Sequence, residues 1–377
     1  MPNWAKLGTS ETIGDATLYC GSASDAYAQW PTPTMIHVDG PYGVSGFPGD
    51  PATTDGLAEW YAPHAAAWAA AATPGTTLWF WGTELGWAKV HPVLDLAGWD
   101  YEGLQVWDKG ISHVAGNVNS RTIRGFPVVT EVCARYSRRA VFENEDGTTL
   151  SMKEWLRAEW RRSGLPLYKT NEACGVKNAA TRKYFTQDHL WYFPPAEMMQ
   201  KLAAYAQEHG RLTKRPYFSL DGTTPLSAEQ WAGMRTKWNH RHGVTNVWTR
   251  PAIRGAERIK HEGKIVHTNQ KPLAIIELLI GTTTDPGDVV WDPFAGLATT
   301  GVAANRLGRS SYAAEITPTV ATAAAERLAR ELANSTDAPR PREAIRRQAS
   351  SHLHHHNERQ TSMSVGTPMP ETGLVRH

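Results

Sequence analysis

The stretch "DVVWDPFAGLATTGVAANRLGRSSYAAE" (residues 288–315) decides the fold. Val289, Val290 and Trp291 form a short apolar run between acidic residues, the pattern of a buried strand. Asp292-Pro293-Phe294 stops it, and Gly296 marks a turn. "TTGVAANRLG" reads as a helix ending near Gly308, and "SYAAE" as a second strand closing on Glu315. A strand-helix-strand unit with a small residue at the turn and an acid ending the second strand is the arrangement of nucleotide-type cofactor sites. The acid suits a ribose diol, because a carboxylate can accept two hydroxyl protons. No GxGxxG is present. The turn is Gly296-Leu297-Ala298, which gives a dinucleotide pyrophosphate no obvious cradle.

Working outward, "KPLAIIELLIGTT" before this unit and "TVATAAAERLARELA" after it read as helices. Nearer the N-terminus, "TLYCG" and "TMIHV" read as strands, "LAEWYAPHAAAWAAAA" as a helix and "TTLWFWG" as a buried strand. "YEGLQVWDKG" and "VVTEVCARYS" add two more strands. Strands alternating with helices predict an α/β fold built on a doubly wound, mostly parallel, Rossmann-like sheet. Near residue 145 the pattern turns helical and charged, basic in its second half, and the α/β pattern returns at about 265. After about 335 come Pro, Arg, Ser and His, including "HLHHHNERQ", the composition of a disordered tail. The expected regions are 1–144, 145–262, 263–333 and 334–377.

The chain has 377 residues, 41% hydrophobic and 20% charged, with formal charge +2. Bulk charge therefore cannot supply a nucleic-acid surface, and local clustering must. Three cysteines lie far apart with no CxxC pair, which predicts no zinc site and suits a reducing cytoplasm. The first fifteen residues lack the pattern of a signal peptide, and no apolar run reaches membrane-spanning length, so a cytoplasmic protein without membrane contact is expected.

A second strand end stands out in "MIHVDGPYGV" (residues 35–44). Taken singly, DGPYG is equally a plain turn, since Asp, Gly and Pro all favour turns. DPFAG is equally any strand-to-helix connection. Together they carry more. Ligands of doubly wound sheets sit outside the carboxyl ends of strands where the strand order reverses. If the strands ending at Val38 and Trp291 are neighbours there, Asp39, Gly40, Pro41 and Tyr42 face whatever binds beside Phe294 and Gly296.

With these motifs the chain resembles the amino-group DNA methyltransferases that use S-adenosylmethionine, in the permuted β arrangement. That family's catalytic motif reads Asp- or Ser-Pro-Pro-Tyr, here "DGPY"; its cofactor motif reads DPFxGxGTT, here "DPFAGLATT". A Gln-Lys-Pro segment precedes the cofactor motif, here within "HTNQKPLAIIELLI" (267–280). "VWDKG" (106–110) and "TEVCARYSRRAVF" (130–142) resemble further strands of the catalytic half. The order of catalytic motif, variable region, Gln-Lys-Pro and cofactor motif is the β order. The resemblance covers about 17–142 and 265–330. Gly40 stands where the family has Pro, Ala298 where it has Gly, and Gly21-Ser22 where it often has Gly-Asp.

The resemblance implies S-adenosylmethionine as cofactor and double-stranded DNA as partner. Asp39 and the Gly40 carbonyl would accept the two N–H groups of a base amine, Pro41 would hold that carbonyl, and Tyr42 would stack on the flipped base. Asp292, Phe294, Gly296 and Thr299 would line the cofactor turn, with Glu315 on the ribose; Gln270, Lys271 and Pro272 would close over the cofactor. An initial Asp goes with adenine N6 in that family, and cytosine N4 is the alternative; a degenerate homologue that binds DNA without catalysis is a third reading. Methylation of cytosine carbon 5 needs a Pro-Cys pair, and none of the three cysteines follows a proline. Family habit adds a cognate restriction endonuclease as partner, and a monomer or homodimer.

Target recognition is expected in 145–262. "SGLPLYKTNEACGVKNAATRKYF" resembles a helix-turn-helix whose second helix would carry Asn178, Arg182 and Lys183 into the major groove. A solvated basic helix gives the same pattern. Arg241, Arg250, Arg254 and Arg258, set among tryptophans, suit phosphate contacts, and Arg121 in the catalytic half would serve likewise.

Overall fold

The computed structural model describes residues 6–44, 49–114, 124–144, 146–254, 258–261, 264–265 and 270–336. Strands β1 (Thr9–Ile13), β2 (Ala16–Cys20) and β3 (Met35–Val38) are followed by helix α1 (Leu57–Ala71), β4 (Thr77–Gly82), α2 (Glu84–Leu96), β5 (Trp99–Asp108) and β6 (Thr130–Arg138). Next come the two-residue strands β7 (Phe142–Glu143) and β8 (Thr149–Leu150) and helices α3 (Met152–Arg162), α4 (Thr170–Ala173), α5 (Ala196–His209) and α6 (Ala228–Ala232). After β9 (Val247–Thr249), β10 (Lys260–His261) and β11 (Lys264–Ile265), the α/β pattern resumes with α7 (Leu273–Thr283), β12 (Val289–Asp292), α8 (Thr299–Leu307), β13 (Ser310–Glu315) and α9 (Pro318–Thr336).

Nine strands form one sheet in the order β1-β2-β13-β12-β3-β4-β6-β5-β9. The pairs β2–β13, β13–β12, β12–β3, β3–β4 and β5–β9 are parallel; β1–β2, β4–β6 and β5–β6 are antiparallel. The late strands β12 and β13 thus insert between β2 and β3, which are early in sequence. Parallel pairing of β12 with β3, Val290 beside Met35 and Trp291 beside Ile36, brings Asp39 and Asp292 to the same end of the sheet.

Both faces of the sheet are covered, which is why β3 and β4 are buried at every position rather than at alternate ones. Ile36, Val38, Leu78 and Phe80 pack with α1 and α2 residues such as Tyr61, Trp68 and Val90. Met35, Trp79, Trp81 and Val290 point the other way, onto Ile275, Ile276 and Leu279 of α7 and Ala303 of α8. The doubly wound, mostly parallel sheet expected from the sequence is therefore present.

Residues 1–328 form one contact unit and residues 329–377 another; of the latter only the end of α9 is described. The tail expected over 334–377 lies almost wholly outside the described residues. Within the first unit, residues 142–231 carry their own core, in which Trp155, Trp160, Phe185, Met199, Tyr217 and Trp231 pack together. A capping box between Ser151 and Glu154 starts α3, and one between Ser227 and Gln230 starts α6.

The helix-turn-helix expected here is not formed. Helix α4 lasts four residues. Gly175 and Asn178 have left-handed backbones, at φ 67° and 55°, and such residues interrupt a helix. Thr181 is drawn back onto the Thr170 hydroxyl at 2.8 Å and onto the Asn171 side chain. Residues Thr181–Phe185 consequently make a 3-10 turn. Asn178 and Arg182 are exposed and Lys183 is half-buried, but none sits on a recognition helix.

Trp231 is fully buried, stacks on Phe193 at 4.5 Å between ring centres and donates its indole N–H to the Pro194 carbonyl at 2.7 Å. Trp231→Ala should cost about 3–5 kcal/mol in urea denaturation, because it opens a cavity and strands a carbonyl.

Candidate active site

Strand β3 ends at Val38, and Asp39-Gly40-Pro41-Tyr42 follows at the rim of the sheet. Gly40 lies against the loop after β12. A Cβ built on it would sit 2.7 Å from Cδ2 of Phe294 and 2.6 Å from the Tyr61 hydroxyl, closer than real Cβ contacts come. That hydroxyl, on α1, donates to the Pro41 carbonyl at 3.0 Å. The space a second proline would fill is thus occupied by Tyr61, and the loop is braced from α1 instead.

After β12 the chain turns through two left-handed residues, Gly296 at φ 48° and Ala298 at φ 54°. Asp292 is buried; its Oδ1 accepts from the Phe294 N–H at 3.2 Å, which fixes the turn. Its Oδ2 lies 3.7 Å from His37 Nδ1. His37 is buried in β3 and its Nε2 accepts from the Trp81 indole N–H at 3.0 Å. Indole N–H is donor only, so a neutral His37 carries its proton on Nδ1, toward Thr300 Oγ1 (3.0 Å) and Asp292.

Glu315 ends β13 beside the same turn. Its oxygens accept from the N–H groups of Gly296 at 3.1 Å and Thr317 at 2.8 Å. Burial pushes its carboxyl up, and the two N–H bonds pull against that. Each oxygen keeps a lone pair for a hydroxyl donor. Gln270 Oε1 is buried with no hydrogen-bond partner among the described residues. A turn shaped by Gly296, an acid ending the next strand and an unpartnered amide oxygen fit a nucleoside-type cofactor. The Thr299 hydroxyl already accepts from Arg327 at 2.9 Å.

Lys271 departs from expectation. Its ammonium points to the DGPY loop, 2.7 Å from Asp39 Oδ1 and 3.1 Å from the Tyr42 hydroxyl. Glu131, on β6, joins it: Oε2 lies 3.2 Å from Lys271, and Oε1 lies 2.6 Å from Lys109. Tyr42 donates to Asp39 Oδ1 at 3.0 Å or to Glu131 Oε2 at 3.1 Å. Burial first, then the two carboxylates, push the Tyr42 phenol well above its ordinary range, so it stays a donor. Burial alone would raise the Glu131 carboxyl; Lys271 and Lys109 outweigh it and hold it down. Burial alone would lower Lys271; Asp39 and Glu131 outweigh it and hold it up.

Glu131, Lys109, Tyr61 and His37 were missed as site residues. One had a visible signal: His37 interrupts a four-residue buried strand, whereas Lys109 and Glu131 stand beside or in strands that carry other charges and so do not stand out. Of the expected DNA contacts, Arg241, Arg250 and Arg254 are exposed, and Arg258 is half-buried with its Nε donating to the Ile253 carbonyl at 3.3 Å. Arg241 and Arg250 line one cleft of about 670 Å³ with Trp248 and Glu277. Arg250 is tied to the end of β5, its backbone N–H donating to the Asp108 carbonyl at 3.1 Å. Arg121 lies outside the described residues. Among those residues no group of three or more His, Cys, Asp or Glu could hold a metal, and no helix is long and apolar enough to cross a membrane.

The sequence pattern of the N6/N4 methylases, described as DNA methylase, matches residues 34–326, from β3 through the cofactor turn into α9. The chain belongs to the N6/N4 DNA methylase family. It is similar to the type II methyltransferase M.HinfI of Haemophilus influenzae, 42% identical over 73 residues, which is 19% of this chain and 20% of that protein. With the type II methyltransferase M.BglII of Bacillus subtilis it shares 37% identity over 131 residues, 35% of this chain and 30% of that one. The matches therefore span less than a third of either relative's length. Among solved structures, the PvuII DNA methyltransferase (cytosine-N4-specific) aligns with a TM-score of 0.48 and 12% identity, over 85% of this chain and 90% of that one.

Two outcomes follow from the rim geometry of this N6/N4 family member. Glu131, held down, stabilises the fold above the ordinary value of 4.5 and loses that as pH falls through its folded value; Lys271, held up, stabilises it below 10.5 and loses that as pH rises further. Thermal melts should thus show a plateau between those limits and a fall on both sides, and Glu131→Gln should lower the plateau by about 3 kcal/mol. Gly40→Ala should cost about 2 kcal/mol from overpacking, and Tyr61→Phe should relieve part of that cost in the double variant.

Proposed function

We propose that this chain transfers a methyl group from S-adenosylmethionine to an exocyclic amine of a DNA base, adenine N6, after flipping the nucleotide out of the duplex. The observation that carries the reading is the contact of Gly40 with Phe294: the amine-accepting loop and the cofactor turn share one rim.

When bound, S-adenosylmethionine supplies an electrophilic methyl carbon on a sulfonium sulfur. Phe294, Gly296 and Glu315 would hold it, with Glu315 on the ribose. The chain's task is to make a poor nucleophile attack. A base amine is unreactive because its lone pair is delocalised into the ring. Asp39 accepts one of its N–H groups and the Gly40 carbonyl accepts the other, drawing the nitrogen toward tetrahedral geometry. The lone pair would then face the methyl carbon that the cofactor supplies, and Asp39 would take the proton that the amine gives up. The Tyr42 ring has Lys271 Nζ over it at 5.3 Å, and the base stacks on its opposite face. Flipping costs a few kcal/mol, which stacking and alignment offset.

Arg250, tied to the end of β5, contacts the backbone phosphates flanking the flipped nucleotide, and Arg241 extends that contact along the cleft. The protective role beside a restriction endonuclease that the family resemblance implies is proposed with it.

Incubation with duplex DNA and methyl-labelled cofactor, followed by digestion to nucleosides, should place the label in N6-methyladenosine. Label in N4-methylcytidine would reassign the base, and bound DNA without label would make the chain a binding protein. Asp39→Ala should retain cofactor and DNA affinity and lose transfer by roughly 100-fold or more. Arg250→Glu should weaken DNA binding irrespective of sequence and flatten its salt dependence by about one phosphate contact or more.

A further inference from the structure

Lys271 is an ammonium sealed inside the molecule, 5% exposed, beneath the loop assigned above to the base amine. Its surroundings account for all of its bonding. Three N–H protons meet three oxygens: Asp39 Oδ1 at 2.7 Å, the Tyr42 hydroxyl at 3.1 Å and Glu131 Oε2 at 3.2 Å. Three aromatic rings stand around the same nitrogen, Trp81 at 5.0 Å, Tyr42 at 5.3 Å and Trp107 at 6.0 Å from their centres. No proton remains with which Lys271 could bond a cofactor.

The effect falls on Asp39. Among the described residues, both hydrogen bonds to its carboxylate, from Lys271 and from Tyr42, land on Oδ1. A carboxylate pinned through one oxygen has a fixed rotation and presents the other. Glu131 is the second anchor of the ammonium and is itself neutralised by Lys109, so two ammoniums balance two carboxylates and no net charge is stranded.

We infer that Lys271 is a positioning residue for the amine acceptor: its caged ammonium fixes the rotation of Asp39 so that Oδ2 alone meets the base N–H. This rests on the methyl-transfer reading above and adds to it a role for Lys271 other than closing over the cofactor. A flexible lysine in solvent could not do this, because the carboxylate would follow it through many rotamers. The aromatic walls and Glu131 leave it one place to be.

The experiment compares wild type, Lys271→Met and Lys271→Ala in the full-length chain. It measures thermal melts, equilibrium binding of S-adenosylmethionine and of duplex DNA, and methyl transfer. Lys271→Met fills the cage without a charge. It should bind both ligands within about threefold of wild type and lose kcat by roughly 100-fold with KM little changed. Lys271→Ala opens the cage, and added propylammonium should restore transfer at least about tenfold while propanol, of similar size and no charge, should not. Three results would overturn the inference: Lys271→Met turning over within about threefold of wild type, a loss confined to cofactor affinity, or equal rescue by propanol. Should Lys271→Met melt early, the comparison of the two additives on Lys271→Ala still decides. A wild-type protein that transfers no methyl group to DNA would instead sink the methyl-transfer reading itself.

Discussion

The parallel pairing of β3 with β12 is the constraint on which the site depends. Only two residue pairs record it, Val290 with Met35 and Trp291 with Ile36. They join segments more than two hundred and fifty residues apart in sequence and set both strand ends at one rim. Slippage of β3 by one residue would turn Met35 from the α7–α8 side to the α1–α2 side and Ile36 and Val38 the other way, because side chains alternate along a strand. Burial on both faces prohibits that. The apolar packing of two helical layers thus fixes where a carboxylate, a carbonyl and a phenol stand relative to the cofactor turn.

Polar groups at the rim then settle in a closed set. Asp39, Glu131, Lys109 and Lys271 come from β3, β6, the end of β5 and the start of α7. Each charge meets an opposite one, so burial does not leave a lone ion whose desolvation would oppose folding. Tyr42 shares one proton between two carboxylates, and His37 reaches from β3 to Asp292 at the end of β12. The two halves are therefore coupled by side chains as well as by backbone. The tight approach of Phe294 explains a residue that sequence patterns alone make anomalous. Gly40 has no side chain because Phe294 and Tyr61 already fill its place.

The region inserted between the halves follows different physics. Its core combines the buried faces of α3 and α5, such as Trp155, Leu156, Met199 and Leu202, with aromatic residues on the turns around them, such as Phe185 and Tyr217. The buried carboxylate of Glu159 is satisfied from within the region. Glu159 accepts from Arg162 at 2.7 Å and from the Phe218 N–H at 2.6 Å, which ties α3 to the loop after α5. Basic residues left over from such pairs, such as Arg182, stand exposed on turns.

Local pattern along the chain is enough to place the layers and the two strand ends. Runs such as MIHV and TLWFW read as buried strands, and DPFAG leading into a helix and then a strand on Glu315 has the pattern of a nucleotide-type turn, because these signals are local in the chain. Local pattern also misled where it was ambiguous. Asn178, Arg182 and Lys183 suggested a second helix after a turn at Gly175, but Asn178 has a left-handed backbone and Thr181–Phe185 make a 3-10 turn instead. Contacts made across the fold leave no such local mark: Lys271 under Asp39, Tyr61 against Pro41, Glu131 between two lysines. A lysine next to a proline at a helix start carries no mark of its partner, since the carboxylate it meets lies 232 residues away and is delivered by strand pairing alone.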